Sequence, residues 1–421
     1  MAAIRNTIAP AMRRRDLLGI LAGTISGIGS ALHTDVADAE DLWGAARNYP
    51  MGWGPPGEIP KWEAYPAYRV GNFSGGFERM FRHRQISAGT TATRFRASPE
   101  DIKYRWRGAT RTVPDYLASW PVTAMLIARK GRILHETYLM KRQPDMRFQS
   151  WSMAKSVTSL LVGVALDRRL IGSLDDAPQD YVESLRGTLH GRIPMRHLLN
   201  MSSGAEVDHD RDPVRIDVPC ILGLPSSRTV RTDLEKVVRE WSEVREAPGE
   251  RYNYNELCAL TMGMVVRAVA RTSLAEFAQE QLWKPLGAQA EATWLTDSLG
   301  REYNCVGFAA TLRDWARLGQ MIAQRGQIDG RRVVSEKWID ACASHGPQDR
   351  QVAYGKMRSD MGYKNFFWHP RPAGKWLMMN GAHGQRVLID RASETVLVQF
   401  AVSQEGQWQS ELFNLFEAAT A

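Results

Sequence analysis

The sequence predicts an α+β fold, an antiparallel sheet flanked by helices with a helical domain inserted between its strands. Three observations carry that expectation. Residues 122–128 and 133–139 run or alternate apolar around the turn Arg129-Lys130-Gly131-Arg132, the pattern of a β-hairpin. Strand-like runs return near the other end, at 376–379, 386–389 and 395–402, the last two separated by the turn Arg391-Ala392-Ser393-Glu394. What lies between is helical in pattern and broken by Gly and Pro, so a sheet is expected to join the two ends of the chain.

Taken in order, the chain opens on an address. Arg13, Arg14 and Arg15 precede Asp16-Leu17-Leu18 and an apolar, Gly- and Ala-rich run over 17–28 that is too short to span a bilayer comfortably. Such a run behind paired arginines resembles a twin-arginine export signal, with Ala37-Asp38-Ala39 as a small-residue cleavage site. Residues 1–39 are therefore expected to direct an exported protein, periplasmic or secreted, that keeps no stable membrane anchor after cleavage. Residues 40–111, rich in Trp, Pro, Gly and Tyr, are expected to form an irregular wrapping segment with short helices. Residues 112–150 and 291–421 are assigned to an α/β domain, and 151–290 to the helical domain.

Inside that helical domain, 152–171 carries Val157, Leu160, Leu161, Val164, Ala165 and Leu166 and is apolar on most sides. This marks a helix buried between layers, closed by Gly172. A second helix is expected over 256–270. Gly307-Phe308-Ala309-Ala310-Thr311 leads into an amphipathic helix over 312–324, and 407–418 forms a closing helix.

Composition narrows the classes of function. At 421 residues and 44% hydrophobic, the chain can bury a large core in one or two domains. Its formal charge of +8 is scattered, with no basic run downstream of the N-terminus and no nucleic-acid motif, so no nucleic-acid partner is expected. Cys220, Cys258, Cys305 and Cys342 are too far apart for a zinc pattern. They form either up to two disulfides or buried free thiols. Asp208-His209-Asp210-Arg211-Asp212 reads as a solvated loop, since adjacent side chains point in different directions and no second ligand group accompanies them. No metal or cofactor is expected.

The chemistry starts at Gln149-Ser150-Trp151-Ser152-Met153-Ala154-Lys155. Ser152 and Lys155, three residues apart at the start of the buried helix, share one helical face, which suits a nucleophile beside a group that takes its proton. The helix start also favours a developing negative charge. A proton relay is offered by Pro248-Gly249-Glu250-Arg251-Tyr252-Asn253-Tyr254-Asn255, where a Pro-Gly turn sets two tyrosines ahead of a helix.

These stretches, in this order, resemble the penicillin-recognising serine hydrolases, which include class C β-lactamases, DD-peptidases and related esterases. Ser152-Met153-Ala154-Lys155 is similar to their Ser-x-x-Lys, and His197-Leu198-Leu199-Asn200-Met201-Ser202-Ser203-Gly204 to their HLL-x-x-x-SG stretch. Residues 248–256 are similar to the segment carrying the catalytic tyrosine. Residues 307–317 resemble the G-F-x-A-T-x-R-D-W-A-R stretch of the 6-aminohexanoate-oligomer hydrolase branch. The resemblance runs from about residue 115 to 415 and implies a β-lactamase/transpeptidase-like fold. It implies Ser152 as the nucleophile of an acyl-enzyme, with Lys155 and Tyr254 as a coupled proton-handling pair, and the backbone N–H groups of Ser152 and Ala382 as the oxyanion hole. Asn380, Gly381, His383, Glu256 and Trp151 would line the pocket. Phe366, Phe367 and Trp368 would wall it or pack in the core. Glu206 or Asp208 would meet a substrate ammonium.

Two positions depart from the family pattern. Met379 stands where Lys-Thr-Gly would carry its carboxylate-binding lysine, and Glu256 where the tyrosine motif would carry Asn. Losing a cation and adding an anion disfavours acidic substrates. The expected partner is a small neutral or amine-bearing ester or amide. A β-lactamase or DD-peptidase activity, and a non-catalytic binding homologue, are the alternatives.

Overall fold

A computed structural model of the protein describes residues 66–208, 233–357, 359–372, 374–403 and 406–421. The expected export signal, Cys220 and the acidic cluster beyond Asp208 lie outside these residues. An eight-stranded sheet organises the rest. From one edge it runs Gly362–Lys364, Phe367–His369, Trp376–Asn380, Arg386–Asp390, Thr395–Ala401, Val122–Arg129, Arg132–Tyr138 and Arg96–Ala97. The sheet does join the two ends of the sequence pattern, because Thr395–Ala401 pairs with Val122–Arg129 at its centre, with Val398 opposite Leu126. Every pairing is antiparallel except the last, where Arg96–Ala97 runs parallel to Arg132–Tyr138.

Strand Thr395–Ala401 is buried at every residue. Val396, Val398 and Phe400 face the larger core while Leu397 faces the smaller one, so both faces are covered and the sequence reads apolar throughout. Helix α1 (Met153–Asp167), helix α2 (Glu256–Ala270) and helix α3 (Leu312–Ala323) contribute to the larger core. Helix α4 (Gln407–Ala419) covers the other face through Trp408, Leu412, Phe413 and Phe416. α3 lies so close to the sheet that a Cβ on Gly319 would sit 2.5 Å from a methyl of Val396. Its N-terminus is capped by Thr311. The buried Asp314 pairs with Arg317 at 2.8 Å, which gives the Arg-Asp-Trp-Ala-Arg stretch a structural use.

Several expectations are corrected. The buried helix ends at Asp167, because Arg169 takes a left-handed φ of 57°, and does not extend to 171. The described part of the wrapping segment is less irregular than expected. Its strand His83–Ile86 joins Ala292–Leu295, Phe308–Thr311 and Arg147–Gln149 in a second, four-stranded sheet, and Lys103–Trp106 forms a hairpin with Ala109–Thr112. Phe308–Thr311, read only as an approach to α3, is a buried strand of that second sheet. Cys258, Cys305 and Cys342 are buried free thiols, so the two-disulfide alternative is excluded. Burial pushes Cys258 and Cys342 up to about 12, far from a reactive thiolate. Among the described residues no single helix is long and apolar enough to cross a membrane, and no group of His, Cys, Asp and Glu is arranged to hold a metal ion.

Two histidines tie this packing to pH. His190 is fully buried with neither ring nitrogen hydrogen-bonded among the described residues, and burial pushes its pKa down to about 4. His369 is also pushed to about 4, by burial first and then by His345, whose ring lies 4.8 Å away. Both stay neutral in the fold while the unfolded chain titrates near 6.5, so the stability they contribute is full above 6.5. It is lost as pH falls towards 4, at about 1.4 kcal/mol per pH unit for each histidine. Urea midpoints are expected to drop between pH 7 and pH 4.5, and less steeply in His190→Gln. An unchanged slope in that variant would count against this account.

Candidate active site

Three chain segments converge at Ser152. The first reverses direction between strand Arg147–Gln149 and α1, and Trp151 makes the reversal with a φ of 48°. That left-handed backbone is held by packing, with the Trp151 ring 5.2 Å from Phe73, 5.9 Å from Phe77 and 5.3 Å from His383. Ser152 follows as the N-cap of α1, one residue ahead of the first turn in which it was expected.

One turn further on, the Lys155 ammonium is 1% exposed and donates to three acceptors. These are Ser152 Oγ at 3.1 Å, Cys305 O at 3.1 Å and Glu256 Oε1 at 3.3 Å. An ammonium has three N–H groups, so these acceptors, with the Tyr254 hydroxyl also in reach, leave no donor over. Cys305 reaches it because residues 304–306 thread between α1 and α2. Asn304 Nδ2 donates to Ala259 O at 2.6 Å, and Thr158 Oγ1 donates to Asn304 O at 3.2 Å.

The second segment brings Tyr254. Its hydroxyl is in hydrogen-bond reach of both Ser152 and Lys155, and its ring centre lies 4.9 Å from the Lys155 nitrogen. The two polar stretches of the sequence hold it there by backbone stitching. Gly249 N donates to Ser202 O at 2.8 Å and Asn253 N to Met201 O at 2.7 Å, while Asn255 caps α2. Gly204, at φ 76°, passes so close to the segment opposite that a Cβ would lie 2.2 Å from Glu246 O. The Gly of the HLL-x-x-x-SG stretch is thus required by chain contact, one step removed from the chemistry.

The third segment is the end of strand Trp376–Asn380. Gly381 packs on the reversal itself, where a Cβ would sit 2.3 Å from Ser150 O and 3.2 Å from Trp151 Cβ. Ala382 and His383 follow in a tight turn, His383 at φ 60° with its ring 5.1 Å from Phe73. Among the described residues neither the Ser152 nor the Ala382 backbone N–H donates to a protein acceptor.

Electrostatics fixes the resting protons. Burial disfavours the Lys155 charge, but Tyr254, Glu256 and Cys305 around it outweigh that cost and raise its pKa above the ordinary value. Tyr254 is raised by burial, only partly opposed by Lys155. At neutral pH the site holds an ammonium beside a neutral phenol.

The other candidates are placed as follows. Glu256 is the ion-pair partner of Lys155 and 6% exposed. Asn380 is half-buried and pairs in register with Arg386. Met379 is fully buried in the larger core, and Phe366 and Phe367 belong there too. Trp368 instead joins a wall around Tyr254, at 5.8 Å from its ring. Glu206 lies 3.9 Å from Arg245 in an ion pair, and the intervening Val207 O accepts from Asn253 Nδ2 at 3.0 Å, so Glu206 and the exposed Asp208 flank the Tyr254 segment. Sequence reasoning missed Tyr363 and Phe73. Tyr363 lies 6.1 Å from the Tyr254 ring on a hairpin whose turn, Asn365-Phe366, has positive φ at both residues. A Gly at the second position would have announced that turn, and Phe366 does not.

A profile of the family described as Beta-lactamase matches residues 109–418. The chain is 24% identical to the 6-aminohexanoate-dimer hydrolase of Paenarthrobacter ureafaciens over 314 residues, 72% of this chain and 79% of that protein. Among solved structures, "Putative 6-aminohexanoate-dimer hydrolase from Bacillus anthracis" is similar at a TM-score of 0.74 and 19% identity, covering 84% of this chain and 94% of that one. A family VIII carboxylesterase is similar at a TM-score of 0.55 and 16% identity, covering 73% and 95%. The two structural likenesses are likenesses of fold.

Gly381→Ala is expected to push the turn off the Ser150–Trp151 backbone, destabilising the protein by about 1–3 kcal/mol in urea unfolding. A substitution without effect would mean that the close approach constrains nothing.

Proposed function

The chain belongs to the β-lactamase family, a family of serine hydrolases, and we propose that it cleaves a small neutral or amine-bearing ester or amide through an acyl-Ser152 intermediate. The observation that carries this reading is the Ser152 hydroxyl 3.1 Å from the buried Lys155 ammonium, with Tyr254 in reach of both. Ser152 Oγ attacks the substrate carbonyl. Its proton passes to the Lys155–Tyr254 pair once that pair has released one, and the pair titrates as a unit. The N–H groups of Ser152 and Ala382 receive the developing oxyanion. Tyr254, the member without a full charge, then hands the proton to the leaving oxygen or nitrogen. Water repeats the sequence in reverse roles on the acyl-enzyme and releases the acid.

The substrate class follows from charge. Met379 offers no cation to a substrate carboxylate, the Lys155 and Arg245 charges are already paired with Glu256 and Glu206, and the exposed Asp208 lies beside the Tyr254 segment. This favours uncharged or ammonium-bearing acyl compounds over acidic ones. The relatives named as a 6-aminohexanoate-dimer hydrolase and a carboxylesterase support an amide or ester bond as the target.

Purified protein is expected to hydrolyse short p-nitrophenyl esters or ω-amino amides, with kcat/KM about a thousandfold lower or less in Ser152→Ala. Efficient nitrocefin turnover that needs Ser152 would move the assignment to a β-lactamase. Absence of turnover and of fluorophosphonate labelling at Ser152 would favour a binding protein.

Because Lys155 is held protonated, kcat/KM is expected to rise with pH on the alkaline side of neutrality. Removing the nearby anion in Glu256→Gln lowers the Lys155 pKa, so the rising limb should move to lower pH by about one unit. A limb that stays put, or moves to higher pH, would rule out the ion pair as the group that sets it.

A further inference from the structure

We propose that Arg386 is a positioning residue for the oxyanion hole, a buried guanidinium that orients and polarises the Gly381–Ala382 peptide from behind. This rests on the acyl-transfer reading, in which the Ala382 N–H is one of the two oxyanion donors. Arg386 is 7% exposed, and its Nη1 donates to Gly381 O at 2.5 Å and to Gln385 O at 2.7 Å. The carbonyl of Gly381 and the N–H of Ala382 belong to one peptide unit. In a trans peptide the two point in opposite directions, and the described residues contain no cis bond. A cation on the carbonyl therefore fixes where the N–H points. It also draws electron density from the amide nitrogen, making that N–H a stronger donor.

The surroundings of Arg386 fit this use better than an ion-pair role. Among the described residues it has no carboxylate partner. Its Nη2 donates to Gln409 Oε1 at 2.9 Å, and its guanidinium lies 4.8 Å from the centre of the Trp408 ring, both on α4. Burial brings its pKa down to about 9, which leaves it charged at neutral pH. A buried charge without an anion is costly unless its field is received by dipoles, and the dipoles it meets are the carbonyls at the two ends of the turn. The other turn carbonyls are held as well. Ala382 O accepts from Gln385 Nε2, His383 O from Ser403 N and Gly384 O from Gln399 Nε2, each at 3.0 Å. Of the four carbonyls of residues 381–384, that of Gly381, in the peptide that carries the Ala382 N–H, is the one that accepts from a formal charge.

The test combines a readout that needs no turnover with one that does. Protein labelled with 13C-carbonyl glycine and 15N-alanine reports Gly–Ala peptides, and Ala382→Ser identifies the signal of interest. In Arg386→Met the Ala382 amide nitrogen signal is expected to move upfield. With an activated ester, kcat should fall about tenfold or more while KM stays within about twofold. Arg386→Lys, which keeps the charge without the fork, should recover part of both changes. If Arg386→Met does not fold, Arg386→Lys carries the test through an intermediate displacement of the same signal. An Ala382 signal that ignores both substitutions overturns the proposal, as does an unchanged kcat in folded Arg386→Met. Inactivity of the wild-type protein counts instead against the hydrolase reading, so the two failures are told apart.

Discussion

A full positive charge taken out of water is the constraint around which this molecule is arranged. Lys155 has almost no exposure, and such a charge is tolerated only when its hydrogens are matched by acceptors and a counter-charge lies close. The three acceptors come from the reversal before α1, the first turn of α2 and the turn that threads between the two helices. Satisfying one side chain thus locks together parts of the chain about 150 residues apart. The same atoms that neutralise the cost of burial are the ones the proposed nucleophile Ser152 needs beside it, so on that reading stability and reactivity are not separately adjustable.

Around that charge the site is built from backbone more than from side chains. Gly381 lies against Ser150, Gly204 against Glu246, and the tyrosine segment is stitched to Met201 and Ser202 through main-chain hydrogen bonds. Such contacts are short and stiff, which suits groups that must keep their geometry while charge moves between them. The aromatic side chains act at the margins. Phe73, Phe77 and His383 brace the strained Trp151, while Tyr363 and Trp368 enclose Tyr254.

The sequence was most legible where one local pattern dominates. The apolar runs at 122–128 and 395–402, the apolar helix after Ser152 and the helix after Asn255 all stand as strands and helices in the structure, and the joining of the two runs into one sheet followed from their positions along the chain. Legibility failed where a residue depends on distant partners. Arg169 stops α1 by its backbone conformation, which leaves no compositional trace beside an available Gly172. Strand Phe308–Thr311 is short and apolar, and only the second sheet distinguishes it from a helix approach. At the site, the spacing of Ser152 and Lys155 and the order of the motifs pointed to the cluster. The Cys305 carbonyl that completes the Lys155 shell carries no residue-specific signal, because any residue has a carbonyl. Glu256 was visible as a departure from the family pattern, though not as the ion-pair partner it proves to be.

The seam between Val122–Arg129 and Thr395–Ala401 has a consequence for how the molecule comes into being. The inner edge of the first hairpin has no partner until the last strand has been synthesised, some 270 residues later, and long-range closures of this kind are slow. Until then an unpaired hydrophobic strand edge is presented to the surroundings, an invitation to chaperones and to aggregation alike. The turn at Gly381–Gly384 hangs from strands on the late side of that seam, so under the acyl-transfer reading proposed above a nascent chain holds its serine and lysine long before the proposed oxyanion donor at Ala382 is in place. On that reading the chain stays chemically silent until its translation is nearly finished.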